Sequence, residues 1–248
     1  MSLIEKYYSH LSGLTDECQY TMKHIEDATR DYNLLVVSSL SDKINIVNNG
    51  YITGLLNGYL KSRGMKTRVR GLDKDIIKAI KRMENDKNVS GQREECEEQV
   101  LENNETKDEY VTVLEYRKEE KKKISDKLPY LLGRLAMSKI CVFKEEVEKS
   151  VINVVEAARK SYSTFNNQPW RIVAYNNRIH IFCKEERDFL DKQMHEAKLR
   201  DIGIALADME MAAEEEWLMA EYEISEKISD KKVKNHEYVI TMFLNRTV

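Results

Sequence analysis

The sequence predicts an α+β fold, a central and mainly antiparallel sheet flanked by helices, in which two half-repeats are intertwined in one domain over residues 1–248. Three observations predict it. Strand-length apolar runs and long helical periodicities alternate in the same order in both halves. A pair of adjacent asparagines, Asn176-Asn177, separates "WRIVAY" from "RIHIFCK" and marks a β-hairpin, because asparagine tolerates φ > 0. With Gly50 set on Gly203, "NNGYITGLLNGYLKSRGM" lies over "DIGIALADMEMAAEEEWL" with similar apolar phasing. The half-repeats run over about 32–116 and about 145–244, with a linker at about 117–144. The alternative is that any two amphipathic helices align this well.

In chain order, "YNLLVVSS" (32–39) is an apolar, β-branched run of strand length. Ser41 reads as an N-cap for a helix carrying Ile44, Val47, Ile52, Leu55, Leu56, Tyr59 and Leu60 at helical spacing, and Gly64 reads as its C′ residue. "KTRVRG" is a short strand; Asp73 caps a helix "KDIIKAIKRM"; Glu94 to Asp108 is an acidic surface excursion; "YVTVLEY" is a strand. "RKEEKKKISDK" is a mixed-charge solvated segment. The second half opens with a helix from Glu145 to Tyr162, its apolar side formed by Val147, Val151, Val154, Val155 and Ala158. The hairpin follows, then a long helix from Leu199 to Leu218, then the strands "AEYEIS" and "HEYVITMFL". "EYV" recurs at Glu109-Tyr110-Val111 and Glu237-Tyr238-Val239.

Composition narrows the function classes. Apolar residues are 42% and charged residues 33%, a globular mixture. A formal net charge of −3 disfavours general nucleic-acid binding. No apolar run reaches the roughly 18 residues of a membrane span, and "MSLIEKYYSHLSGLTDE" lacks the basic and apolar regions of a signal peptide, so a soluble cytoplasmic protein without a membrane partner is expected. Cys18, Cys96, Cys141 and Cys183 are widely spaced, which predicts buried free thiols, and the scattered His10, His24, His180, His195 and His236 show no metal-ligand spacing. There is no P-loop, G-x-G-x-x-G, G-x-S-x-G or H-E-x-x-H, so any enzymatic chemistry belongs to a bound cofactor rather than to catalytic side chains.

Two segments stand out. "STFNNQPW" (163–170) places hydroxyls and amides between a helix end and a strand; Pro169 biases Gln168 to an extended conformation. Such groups suit a flat heteroaromatic ligand; the competing reading is a well-bonded connecting loop with Trp170 in the core. "KSRGMKTRVRG" gathers Lys61, Arg63, Lys66, Arg68 and Arg70, which read either as a phosphate site or as a helix C-terminus followed by a solvated strand face.

"EAARKSYSTFNNQPWRIVAY" resembles the nitroreductase-family segment A-x-R-x-A-P-S-x-x-N-x-Q-P-W-R, and "RDIGIALADMEMAAEEEWL" resembles that family's D-x-G-I-A-x-x-x-x-E-x-A-A-x-x-x-G-L helix. "YNLLVVSS", the helix through Gly50 and "RGMKTRVRG" resemble its strand, central helix and G-L-G-T-C-W-x-G-G segment, with "GLDKDIIKAI" continuing the match. The arrangement is most similar to single-chain members in which two half-repeats mimic the usual homodimer. The resemblance implies a nitroreductase-like fold around FMN, with a nicotinamide as electron donor and a nitroaromatic, quinone or similar small molecule as acceptor. It implies flavin contacts from Ser163, Thr164, Asn166 and Gln168, with Arg159 and Arg171 matching the motif's arginines and Thr67 and Gly71 bordering the ring from the first half. The family's opening R-R-S-x-R is not matched, Lys6 being the only Lys or Arg before Lys23, so Arg63, Lys66, Arg68 or Arg70 would have to hold the phosphate. Two alternatives follow from that departure: a truncated copy of such an enzyme, or a family member without flavin chemistry that binds another ligand or partner. A monomer or a homodimer is expected.

Overall fold

The computed structural model describes residues 20–25, 32–71, 109–118, 133–185, 192–225, 228 and 235–246. Two sheets sandwich a pair of long helices. The first is built from β1 (Tyr20–Ile25), β2 (Asn33–Leu40), β3 (Met65–Gly71) and β4 (Glu109–Lys118), in the order β1-β2-β4-β3 and antiparallel throughout. The second is built from β5 (Cys141–Phe143), β6 (Trp170–Ala174), β7 (Arg178–Lys184), β8 (Leu218–Glu223) and β9 (His236–Arg246), in the order β5-β6-β7-β9-β8. Strands β6 to β9 repeat the order of β1 to β4; β5 is added at the edge, parallel to β6. The helices are α1 (Lys43–Ser62), the single turn α2 (Met137–Ile140), α3 (Lys149–Lys160) and α4 (Lys192–Glu215).

Helices α1 and α4 meet along a seam of small residues. Each has a glycine where the other's backbone passes: a Cβ on Gly50 would lie 2.0 Å from the Arg200 carbonyl oxygen, and a Cβ on Gly203 would lie 2.0 Å from that of Val47. The contact is reciprocal, because Arg200 stands three residues before Gly203 as Val47 stands before Gly50. The next steps keep the same spacing, Gly54 against Ala207 and Gly58 against Met211, so the helices run in the same direction. The spacing carries beyond the helices. Gly64, at φ 73°, and Trp217, at φ 59°, occupy the left-handed turn after each helix. Reciprocal contacts of this kind are what a two-fold axis produces. Around the seam Leu35, Ile52, Leu56, Leu114, Val154, Trp170, Ile202 and Ile240 form one continuous core.

Local chemistry accounts for the boundaries. The N-cap of α1 is Asp42, not Ser41: Asp42 is extended (φ −100°, ψ 164°) and its carboxylate accepts the Asn45 amide at 3.1 Å. Ser41 instead donates to Glu196 at 2.9 Å. Helix α4 begins at Lys192 rather than Leu199, and α3 spans Lys149–Lys160 rather than 145–162. Strand β1 was not expected from "YTMKHI"; its ladder with β2 supplies what apolar patterning does not. Of the segment read as a linker, 117–118 belong to β4 and 137–143 form α2 and β5. The expected helix at 74–83, the acidic stretch 94–108, His10, Cys18 and Cys96 lie outside the described residues. No described helix is long and apolar enough to cross a membrane, and no described cluster of His, Cys, Asp and Glu could hold a metal ion.

Candidate functional site

The segment from Ser161 to Arg171 leaves α3, makes a tight 3-10 turn at Thr164–Asn166 and enters β6. Three of its residues are left-handed: Phe165 (φ 53°), Asn166 (φ 56°) and Gln168 (φ 47°), the last in place of the extended conformation expected before Pro169. For an aromatic residue that conformation is strained, yet Phe165 is 87% exposed. Side-chain bonds hold the loop in place. Ser163 Oγ accepts the Gln168 amide at 3.0 Å. Gln168 Oε1 accepts the Leu135 amide at 2.9 Å, and Gln168 Nε2 and Asn166 Nδ2 both donate to the Gly133 carbonyl, at 3.2 and 3.1 Å. Arg171 closes the loop by donating Nη1 to the carbonyls of Gln168 and Trp170, at 2.9 and 2.6 Å. Trp170 is core, 1% exposed, as the reading of a well-bonded connecting loop expects, and the loop also presents the exposed Phe165 ring.

The loop's other anchor is a buried ion pair on α4. Arg200 and Asp201 are 4% and 1% exposed, with Nη2 2.9 Å from Oδ1. Asp201 Oδ2 accepts the Thr164 amide at 2.6 Å, and Arg200 donates to Thr164 Oγ1. Burial pushes the Asp201 carboxyl up, opposed by Arg200 and the Thr164 bonds. Burial also works against the Arg200 charge, but Asp201 and Tyr110 beside it carry its pKa above the ordinary value. Tyr110 comes from β4; burial raises its phenol, opposed by Arg200, with Asp201 and Glu196 adding to the rise. Asn49 of α1 donates to the carbonyls of Val37 (2.9 Å) and Tyr110 (3.4 Å), so the first half fixes one wall. Further along α4 the Asp208 carboxyl is pushed up by burial, opposed by the charges of Lys61 and Arg134.

The remaining sequence candidates are dispersed. Thr67 faces the helix layer and donates to Asn57. Gly71 ends β3 opposite Thr112, at the same end of the sheet as Tyr110. Arg159 pairs with Glu156 one turn earlier in α3. Arg63 lies over the Tyr59 ring, 5.3 Å from its centroid. Lys66, Arg68 and Arg70 alternate with Thr67 and Val69 and so face away from the helices, Arg70 pairing with Glu115 at 3.0 Å. The structure therefore does not bring these four cations to the loop: strand alternation sends Lys66, Arg68 and Arg70 to the opposite face, and Arg63 stays at the end of α1 over Tyr59. The sequence reading missed Arg200, Asp201, Tyr110 and Asn49. The signal for two of them was present: charges at 200 and 201 stand directly before the apolar run "IGIALA", where the helix is buried.

Comparison with known proteins bears on this arrangement. The family model described as "Putative TM nitroreductase" matches residues 15–213, which include α1, the loop and α4 up to its last two residues. A solved structure from Thermotoga maritima, described as a putative nitroreductase, superposes with a TM-score of 0.55 over 97% of this chain and 82% of that one, at 12% identity, which speaks for the fold. No curated protein matches. With four-fifths of the chain matched and the fold shared, the protein belongs to the putative TM nitroreductase family.

Proposed function

We propose that this protein is an FMN-dependent oxidoreductase of nitroreductase type that draws electrons from NADH or NADPH, and that the loop Ser163–Gln168 borders the flavin ring. The observation that carries it is the pre-organised loop: left-handed Phe165 and Asn166, anchored by Asp201 on one side and by Gly133 and Leu135 on the other. The donor set fits a flat heteroaromatic edge. Asn167 offers an amide beside Asn166, whose own amide is bonded to Gly133 and Gln168, and Tyr110 and Arg200 stand behind the loop. The phosphate end fits less well, since Arg63, Lys66, Arg68 and Arg70 do not face the loop. A bound FMN supplies hydride acceptance from the nicotinamide and electron delivery to a nitroaromatic or quinone. The chain's own residues position and enclose: Thr164 and Gln168 fix the loop backbone, Asp201 keeps Arg200 in place, and the seam glycines hold the two halves at one distance.

The chain is, in this reading, a cytoplasmic pseudo-dimer, a single polypeptide standing where relatives use two copies. The reciprocal Gly50–Arg200 and Gly203–Val47 contacts support it, and light scattering is expected to give a monomer.

The test is flavin itself. Purified protein should show the visible flavin bands, bleached by NAD(P)H, or should quench FMN fluorescence saturably. Colourless protein that leaves FMN fluorescence unchanged would sink the proposal. It would favour the second reading, a family member that binds another ligand, which the dispersal of the four cations supports.

A further inference from the structure

The outer face of the second sheet, turned away from the helices, carries a feature that the first sheet lacks. Strands β2 and β4 pair without interruption from Asn33–Tyr116 to Leu40–Glu109. Strands β7 and β9 shift register between Ile181–Ile240 and Phe182–Tyr238, leaving Val239 as the extra residue of a β-bulge. Val239 and Ile240 both turn into the core. The bulge thereby reverses the facing of Tyr238: Tyr110 of the matching "EYV" packs toward the helices, whereas Tyr238 joins Thr241 on the outside. Bulges commonly re-aim side chains beside functional sites.

What the bulge builds is a polar chain beneath a concave surface. Tyr238 OH lies 2.8 Å from Thr241 Oγ1, and Thr241 Oγ1 lies 2.8 Å from His180 Nδ1. The Ser225 amide donates to Tyr238 OH at 3.1 Å, fixing the far end. The imidazole is thus held in one orientation, with Tyr175 edge-on at a centroid distance of 5.7 Å. Above it opens a groove of about 390 Å³ walled by Tyr175, Phe182 and Phe243, within the usual size of small-molecule sites, about 300–1,000 Å³. Arg178 lies flat over Tyr175 at 4.0 Å, which presents its donor edge beside the rings. Glu223 stands at the opposite rim: His180 and Glu223 both pair with Thr241, so they are two strands, about 10 Å, apart.

We infer that this groove is a ligand site separate from the loop at 163–168, and that it takes a small aromatic carboxylate bearing a hydroxyl or amino group opposite the acid. The ring stacks among the aromatic walls, Arg178 takes the carboxylate beside the fixed His180 ring, and Glu223 accepts from the opposite substituent. An anion-only ligand would meet Glu223 unfavourably, and an apolar one would gain nothing from the exposed edge of the Arg178 guanidinium, whose Nη1 already donates to Asn177.

The test is titration of the full chain with para-hydroxybenzoate, by calorimetry and by saturation-transfer NMR, with cyclohexanecarboxylate as the non-aromatic comparison. One saturable site is expected for para-hydroxybenzoate and much weaker binding for cyclohexanecarboxylate. Arg178→Met should weaken binding about ten- to a hundred-fold through loss of a charge-assisted contact. Phe243→Leu and Thr241→Val should weaken it less, and Thr164→Val at the loop should leave it unchanged. If Arg178→Met loses its native circular dichroism, Arg178→Lys serves instead, with intermediate weakening. No saturable binding at millimolar para-hydroxybenzoate overturns the inference. So does affinity indifferent to Arg178 and Phe243, or affinity lost in Thr164→Val, which would put the probe at the loop.

Discussion

Gly50→Ala adds one methyl group at the tightest point of the molecule. Its carbon would stand 2.0, 2.7 and 2.9 Å from the oxygen, carbonyl carbon and Cα of Arg200, closer than the roughly 3.0 Å that real contacts respect. All three are backbone atoms of a helix, so no rotamer change relieves the clash. The helices must part by about 1 Å, and a gap of that size forfeits a quarter to a half of each dispersion contact along the seam. Overpacking of this kind costs about 1–3 kcal/mol and sometimes more. The better helix propensity of alanine returns about 1 kcal/mol. Because Gly54 and Ala207 lie in the same opened seam, the net loss should fall near 2 kcal/mol. Urea unfolding followed by far-UV circular dichroism measures it. Gly58→Ala is the internal comparison: its added carbon meets only the end of the Met211 side chain, which can swing away, so that variant should be neutral or slightly stabilised. Gly50→Ala combined with Gly203→Ala should cost less than the sum, since one separation accommodates both methyls. A Gly50→Ala protein as stable as Gly58→Ala, or strict additivity of the pair, would refute the reasoning.

The other predictions concern single groups. Glu210 is held between the hydroxyls of Tyr51 and Tyr222, at 2.7 and 2.6 Å, and burial pushes its carboxyl up. Between the unfolded value of about 4.3 and the raised folded value the native state binds the extra proton, so this group's contribution is fully present below the unfolded value and is lost as pH rises through the folded one. Glu210→Gln should flatten that part of the Tm-against-pH curve; an unchanged slope counts against it. Trp217→Gly should raise Tm by about 2–4 °C, because a left-handed non-glycine costs about 1 kcal/mol there; a lower Tm would mean the indole contributes more than its backbone costs. The thiols of Cys141 and Cys183 are pushed up to about 12 by burial. In a Cys18→Ser, Cys96→Ser background they should react with a disulfide reagent only as fast as the protein opens, and rapid native-state labelling would contradict this.

How far the sequence disclosed this molecule depends on whether the signal was local. The hairpin at Asn176-Asn177, the left-handed Gly64 and the phasing of Gly50 against Gly203 are written in a few residues each, and the structure forms all three, though neither hairpin asparagine takes the positive φ that the reading invoked. The start of α4 was not legible, because "KQMHEAK" has no apolar face; Ser41–Glu196 and His195–Glu237 contacts fix it from other elements. The candidate site divides the same way. Ser163, Thr164, Asn166 and Gln168 announced themselves by composition, but the partner that organises Thr164 is a carboxylate 37 positions later. Nothing local to Asp201 says that it will lie under the loop. The cations of β3 misled for a third reason: clustering in sequence is not clustering in space when successive residues of a strand point to opposite faces.

The two halves differ in a way that follows from where each position faces. Substitution is narrow where the seam brings backbone against the partner helix, Gly50 against Gly203 and Gly54 against Ala207, and widens to Gly58 against Met211 where only the end of a side chain is met. One turn beyond, the matching positions diverge freely: Gly64 against Trp217, then Lys66, Arg68 and Arg70 against Met219, Glu221 and Glu223, on strand faces turned away from the helices. The bulge at Val239 belongs to this second group. It leaves the inward residues Ile240 and Met242 in the core, adds Val239 to them and turns Tyr238 outward. A frame fixed at its seam and open at its outer faces can therefore gain a site on one half without disturbing the packing that both halves share. The groove above His180 is where this chain has the means to do so.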